Sequence, residues 1–261
     1  YHGHVLEGYF SRTKSTAFKM IERMLAHISD AIIAISRTQK WELSEKYKIC
    51  HHGKVHMIPL GFDLSKFTNA RDLKGELRNK IGIGDNDFLI GIVGRLTAIK
   101  NHFMFIDAAK ILVDRCKEIP LKFLIIGNGE LCHCLKEYSK SLDLQEKIIF
   151  YGWERDIQKV YADLDILALT SMNEGTPVSI IESMASEVPV ITTGVGGVRD
   201  LLGEFDPYQN GCNAFLVCER GILCPKDEPA VFANGIEYMI SHGVDRNHAM
   251  VQKARAHVLT H

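Results

Sequence analysis

Short, continuously apolar runs alternate with amphipathic stretches of helical length along this chain, and few folds accommodate that rhythm. The runs fall at 31–36, 55–58, 88–93, 122–126, 147–151, 165–169 and 188–192. Apolar residues at successive positions, as in Phe88-Leu-Ile-Gly-Ile-Val93, suit strands buried on both faces. Helices are expected between them at 37–47, 101–116, 130–142, 156–162 and 177–186, with two more at 228–241 and 247–259. Such strand–helix alternation predicts an α/β fold, a doubly wound parallel sheet.

Pro59-Leu60-Gly61 ends the second strand, a polar segment follows over 63–80, and the βα alternation restarts at Phe88. Residues 1–60, with about two strands and two helices, are too short to be a domain of their own. Residues 61–241 would form a complete sheet domain, and 242–261 a terminal helix. The stretch 203–224 reads as a long irregular loop.

With 31 Lys+Arg against 32 Asp+Glu the formal charge is −1, without the basic footprint of a nucleic-acid binder. No run approaches the roughly 18 apolar residues of a membrane-spanning helix. The first 54 residues do lean basic, through Arg12, Lys14, Lys19 and Arg23 among others. That pattern suits either a solvated face or attraction to an acidic membrane surface. Seven cysteines is an odd number. Cys132 and Cys134 would point to different helix faces, and the six-residue spacing of Cys212, Cys218 and Cys224 matches no zinc pattern. No metal is expected, and the thiols should be free in a reducing, cytoplasmic setting.

Ligands of open α/β sheets bind outside the carboxyl ends of the strands, so the loops after each strand matter most. Glycine stands near the strand end in four of five: Gly94, Gly127 with Gly129, Gly152, and Gly194 with Gly196 and Gly197. Its lack of a Cβ would let backbone approach a ligand. The runs beginning at Gly127 and Gly194 lack the third glycine of a dinucleotide fingerprint, having Cys132 and Arg199 there. The pairs Asp85/Asp87 and Asp163/Asp165 precede strands, so they belong to turns at the opposite sheet edge.

Two loops carry candidate chemistry. Arg95 and Lys100 flank a turn entering a helix, an arrangement suited to a diphosphate. Thr176-Pro177 is expected to start a helix, with Thr176 as cap and Pro177 in the first turn. The amides of Val178 and Ser179 would then form an anion-binding end. Glu182 falls within an apolar run, where a carboxylate needs a partner: ligand hydroxyls, or a structural arginine. Glu174 precedes the helix at the mouth of the cleft, unless it is a solvated loop acid.

Gly94-Arg95-Leu96-(x3)-Lys100 together with Glu174-Gly175-Thr176-Pro177-(x4)-Glu182 resembles the donor site of retaining GT-B glycosyltransferases, family 4 (group 1). The two glutamates keep that family's EX7E spacing. Supporting strings lie in order at 30–36, Ile58-Pro-Leu-Gly61, Gly127-Asn-Gly129-Glu130 and Gly194-Val-Gly-Gly-Val-Arg-Asp200. The resemblance implies a sugar transferred from a nucleotide-sugar donor, UDP-sugar favoured, to a carbohydrate or lipid-linked acceptor hydroxyl. It implies retention without a metal or other cofactor, in cell-surface polysaccharide or glycoconjugate synthesis, and makes residues 1–60 the C-terminal part of an acceptor-side domain. The basic first 54 residues add the expectation of peripheral contact at the inner membrane face. Arg95 and Lys100 would bind the diphosphate, with Gly94 beside them, and Glu182 the ribose. Glu174 would hold the sugar, with Gly175, Thr176, Pro177 and Val178 alongside. Gly127, Trp153 and Glu154 would line the base pocket, and His2 would reach the donor sugar. A donor-binding fragment without transfer activity and a sugar-nucleotide epimerase of the same fold are the alternatives.

Overall fold

The computed structural model describes residues 12–205 and 214–260. Its elements in chain order are α1 (Arg12–Ile28), β1 (Ile32–Ala34), α2 (Arg37–Trp41), β2 (Val55–Met57), α3 (Ser65–Thr68), α4 (Glu76–Ile81) and β3 (Phe88–Val93). There follow α5 (His102–Arg115), β4 (Leu121–Ile126), α6 (Cys132–Ser141), β5 (Ile148–Gly152), α7 (Ile157–Asp163), β6 (Ile166–Leu169) and α8 (Val178–Ala185). The chain continues through β7 (Val190–Thr193), α9 (Val198–Leu202), β8 (Leu216–Cys218), β9 (Gly221–Cys224), α10 (Pro229–Ser241) and α11 (Gly243–Thr260).

Strands β1 and β2 pair in parallel as a two-stranded sheet. The other seven form one sheet in the order β5-β4-β3-β6-β7-β9-β8, parallel throughout except for β8 on the edge. The order runs one way from β3 to β5 and the other way from β6, so it reverses between β3 and β6. Alternating strand residues feed two cores. Ile90 and Ile92 pack with Phe105 and Leu112 of α5 and Phe232 and Ile236 of α10 on one face. Leu89, Leu167 and Leu169 pack with Val160 and Tyr161 of α7 and Ile180 and Met184 of α8 on the other.

The acids before the strands are structural. Asp163 accepts from the Gly75, Leu77 and Arg78 amides at 2.5, 2.8 and 3.0 Å, which caps α4. The Arg78 guanidinium, 4% exposed, donates to the carbonyls of Gly84, Asp87 and Asp163 and to Asp165 Oδ2 at 2.7 Å. One side chain thus ties α4 to the turns that launch β3 and β6.

Three expectations need correction. The 203–224 stretch contains β8 and β9, turned back at Glu219 and Arg220. All four residues of β9 are buried, and so short a run among cysteines gives no periodic signal. The expected helix 37–47 is α-helical only to Trp41; the chain then widens into a π-turn, with Tyr47 N–H donating to the Glu42 carbonyl at 2.8 Å. The last helix starts at Gly243, one residue beyond the end of α10 and His242, rather than at 247.

The two sheets meet at α9. Asp200 Oδ2 accepts from the Arg37 and Thr38 amides at 2.9 and 3.4 Å, at the start of α2. A Cβ on Gly197 would press on the Ser36 side chain, so these segments touch closely.

Arg78→Met should leave several buried acceptors and the Asp165 carboxylate unpaired, lowering stability by about 3–5 kcal/mol. Urea unfolding should show an earlier midpoint; a midpoint within error of wild type would contradict this role.

Candidate functional site

A crevice forms where strand order reverses, since the loops on either side depart in opposite directions. Here it lies between the loops after β3 and β6, and these carry Lys100 and Glu174. Lys100 Nζ meets Glu174 Oε1 at 2.5 Å, and Ser171 Oγ donates to the same oxygen at 2.6 Å. No described residue bonds Glu174 Oε2. The Lys100 stem runs alongside Gly94.

Backbone contacts lock these loops together. Thr170, wholly buried at the end of β6, donates its hydroxyl to the Lys100 and Asn101 carbonyls. The Met172 amide donates to Ile99 at 2.8 Å, and Asn101 adopts the left-handed conformation, φ 48°, as α5 begins. On the outer sides the glycines act. Gly196, φ 52°, lies so close to the Glu174 carbonyl that a Cβ would overlap it, while the Gly197 amide donates to Gly175 at 2.9 Å. Gly127, φ 135°, abuts the Gly94 carbonyl in the same way, and the Leu96 amide donates to Asn128. Four loops are thereby joined edge to edge. At Gly127 and Gly196 the missing Cβ makes room for the neighbouring loop.

The start of α8 differs from expectation. Pro177 is the N-cap, with extended ψ of 108°, and α8 begins at Val178. Thr176 does not cap it; its hydroxyl is buried without a partner. The bond from the Gly197 amide to Gly175 holds the preceding loop against α9, and a residue before proline is itself pushed toward extended backbone. The amides of Val178 and Ser179 meet no acceptor among the described residues, so the donor-rich end exists as expected.

Glu182 meets a phenol rather than an arginine. Tyr161 Oη donates to Glu182 Oε2 at 2.9 Å; burial pushes the carboxyl pKa up and this bond partly offsets it. Arg95 is exposed and pairs with no described residue. Trp153 is 69% exposed, and Glu154 turns back to the Tyr151 hydroxyl and the Asp156 amide, near Lys80. The Gly127 amide donates to the Gly152 carbonyl at 2.8 Å, next to Trp153 in the chain. His2 and Cys212 lie outside the described residues. The cysteines at 132, 134, 218 and 224 are free thiols, and no cluster of metal ligands occurs among the described residues. No helix there is long and apolar enough to cross a membrane.

His102, missed from sequence, is wholly buried beside Lys100 with neither ring nitrogen bonded. Its signal was slight: a polar residue opening the buried face of an otherwise apolar helix. A cavity of about 720 Å³ opens nearby between β2 and α11, reaching the crevice only at Thr176 and Gly197.

A doubly wound α/β sheet with a cation–carboxylate pair at its switch point defines a class built to hold a ligand in that crevice. The chain belongs to the group 1 glycosyltransferases: the family model matches residues 74–257. It is 31% identical over 210 residues to a UDP-Gal:alpha-D-GlcNAc-diphosphoundecaprenol alpha-1,3-galactosyltransferase of Escherichia coli, covering 79% of this chain and 54% of that one. To a D-inositol 3-phosphate glycosyltransferase of Corynebacterium urealyticum it is 24% identical, over 92% and 55%. The chain therefore spans about half the length of these curated relatives. Its fold is that of GT-B glycosyltransferases. A glycosyltransferase from Rickettsia africae superposes with a TM-score of 0.76 at 25% identity, covering 94% of this chain and 62% of that one. Anabaena HepE, solved with UDP and glucose, superposes at 0.78 and 20%, over 99% and 65%.

Gly196→Ala should force a Cβ onto the Glu174 carbonyl from a disfavoured backbone conformation, at a cost of about 1–3 kcal/mol. Thermal unfolding should fall accordingly, with Gly61→Ala, which meets nothing within 4 Å, as the neutral control. Burial and the Lys100 cation push the His102 pKa from its ordinary 6.5 down to about 4. The unfolded chain binds that proton more readily, so the stability from neutral His102 is complete above pH 6.5. It is lost as pH falls toward 4, by up to about 3 kcal/mol. Urea unfolding at pH 5 and pH 8 should show the loss, and His102→Leu should flatten that part of the slope.

Proposed function

We propose that the chain carries the donor site of a retaining, metal-independent glycosyltransferase that uses a UDP-sugar. The observation that carries this reading is the Lys100–Glu174 pair seated across the switch point, with Glu182 eight residues on. In this reading residues 61–241 are the donor domain, 1–60 belong to the acceptor side, and 242–261 form a terminal helix. Arg95, Lys100 and the free amides of Val178 and Ser179 hold the diphosphate. Gly94 lies beside the Lys100 stem, while Gly175, Thr176 and Pro177 shape the sugar pocket with Glu174. Glu182 takes ribose hydroxyls. Gly127, Trp153 and Glu154 border the base, and His2 reaches the sugar from the acceptor side.

The acceptor oxygen attacks the anomeric carbon on the face that the diphosphate leaves. The bond from carbon to phosphate oxygen breaks as the new glycosidic bond forms, and the acceptor proton passes to the departing phosphate. Arg95, Lys100 and the helix amides stabilise the charge that develops there, the task a divalent cation would otherwise perform. The relative acting on a diphosphoundecaprenol-linked sugar supports a lipid-linked or carbohydrate acceptor and a role in cell-surface glycoconjugate synthesis. Helix α1 supports contact with an anionic membrane face, because Met20, Met24 and Ile28 are exposed near Lys14 and Arg23.

Lys100→Ala and Glu174→Ala should each cut transfer from a UDP-sugar at least ~100-fold with thermal unfolding little changed. Unchanged turnover would remove the site assignment. A chelator should leave the wild-type rate as it is, and strong inhibition would sink the metal-free mechanism. Co-sedimentation with liposomes should increase with anionic lipid; indifference to lipid charge would dispose of the membrane contact.

A further inference from the structure

Several acids near the sheet edges of this chain are paired with cations. Glu187, just past α8, meets both Arg71 and Arg255. Asp163 and Asp165 share Arg78. Glu182 has no such partner: it lies among buried Ile180, Ile181, Met184 and Ala185, and no described cation pairs with it. Its one bond is to Tyr161, and it engages Oε2 alone.

We propose that Tyr161 is a positioning residue, whose phenol pins Glu182 Oε2 so that Oε1 is presented to the ribose hydroxyls of the donor nucleotide. The inference rests on the donor reading above. Tyr161 is wholly buried on α7, and Phe67 meets its ring edge-on at a centroid distance of 5.8 Å. The ring is thus held by packing, and its hydroxyl has a fixed place from which to donate. Burying that hydroxyl without a partner would be costly, so hydroxyl and carboxylate each need the other. The remaining carboxylate oxygen bonds to no described residue. A carboxylate accepting two ribose hydroxyls must be held in one orientation to gain from both, and the phenol supplies that restraint.

The test is calorimetric titration of UDP and of 2′-deoxy-UDP into the chain and its Tyr161→Phe and Glu182→Gln variants. The wild type should prefer UDP by ~10-fold, the worth of one hydrogen bond to a charged group. Glu182→Gln should abolish most of that preference, and Tyr161→Phe should reduce it at least threefold. Both ligands are compared within one protein, so a partial loss of folded material cancels from the ratio. Phe67→Leu, which keeps the phenol but loosens its ring, should give an intermediate ratio and serves if Tyr161→Phe does not fold. A normal preference in Tyr161→Phe, or in Phe67→Leu where only that variant folds, overturns the positioning role while a reduced one in Glu182→Gln upholds the donor reading. If the wild type ignores UDP, or Glu182→Gln keeps the full preference, the donor reading falls and this inference with it.

Discussion

Two loops can face each other across an open crevice at a sheet edge only where successive crossovers leave in opposite directions. In this chain that happens once in the seven-stranded sheet, between β3 and β6. Everything at the site follows from that reversal. It places Lys100 and Glu174 opposite each other although more than seventy residues separate them. It also leaves those loops without strand pairing, so other bonds must hold them. The Thr170 hydroxyl and the Met172 amide do so from within the crevice, and Gly127 and Gly196 let the outer loops press in from both sides.

Charge is distributed by the same division of the sheet into two edges. At the amino edge Arg78 is surrounded by carbonyls and two carboxylates, an arrangement that fixes turns and leaves no spare donor of consequence. At the carboxyl edge Glu174 and Glu182 are each held through a single oxygen, Glu174 by Lys100 and Ser171 and Glu182 by Tyr161. A saturated ion network makes scaffold, whereas a half-saturated carboxylate keeps capacity for another hydrogen bond.

Buried strands were legible in the sequence because continuous apolar runs have few other uses: the expected 88–93 strand is β3 itself. A helix start between Glu174 and Glu182 was legible through Thr176-Pro177, and α8 begins one residue later, at Val178. What stayed hidden is set by tertiary contact. Strand β9 is four residues long and is fixed as a strand by its pairing with β7 and β8 on either side. Thr176 looks like a cap locally, yet the Gly197 contact with its neighbour Gly175 leaves that task to Pro177. Tyr161 lies on another helix, far from Glu182 in sequence, and no local pattern announces their bond.

The reversal of strand order has a kinetic side as well. Each of the pairings β3–β4 and β4–β5 closes over a single helical crossover. The pairing of Ile90 with Ile166, which opens the crevice, joins β3 to a strand reached only after β4 and β5 and their helices have intervened. Closing the longer loop costs more chain entropy before any contact compensates it. The half-sheet β3–β4–β5 is accordingly the cheaper part to nucleate, and the edge that holds Lys100 opposite Glu174 is completed by the most sequence-distant strand pairing of the sheet.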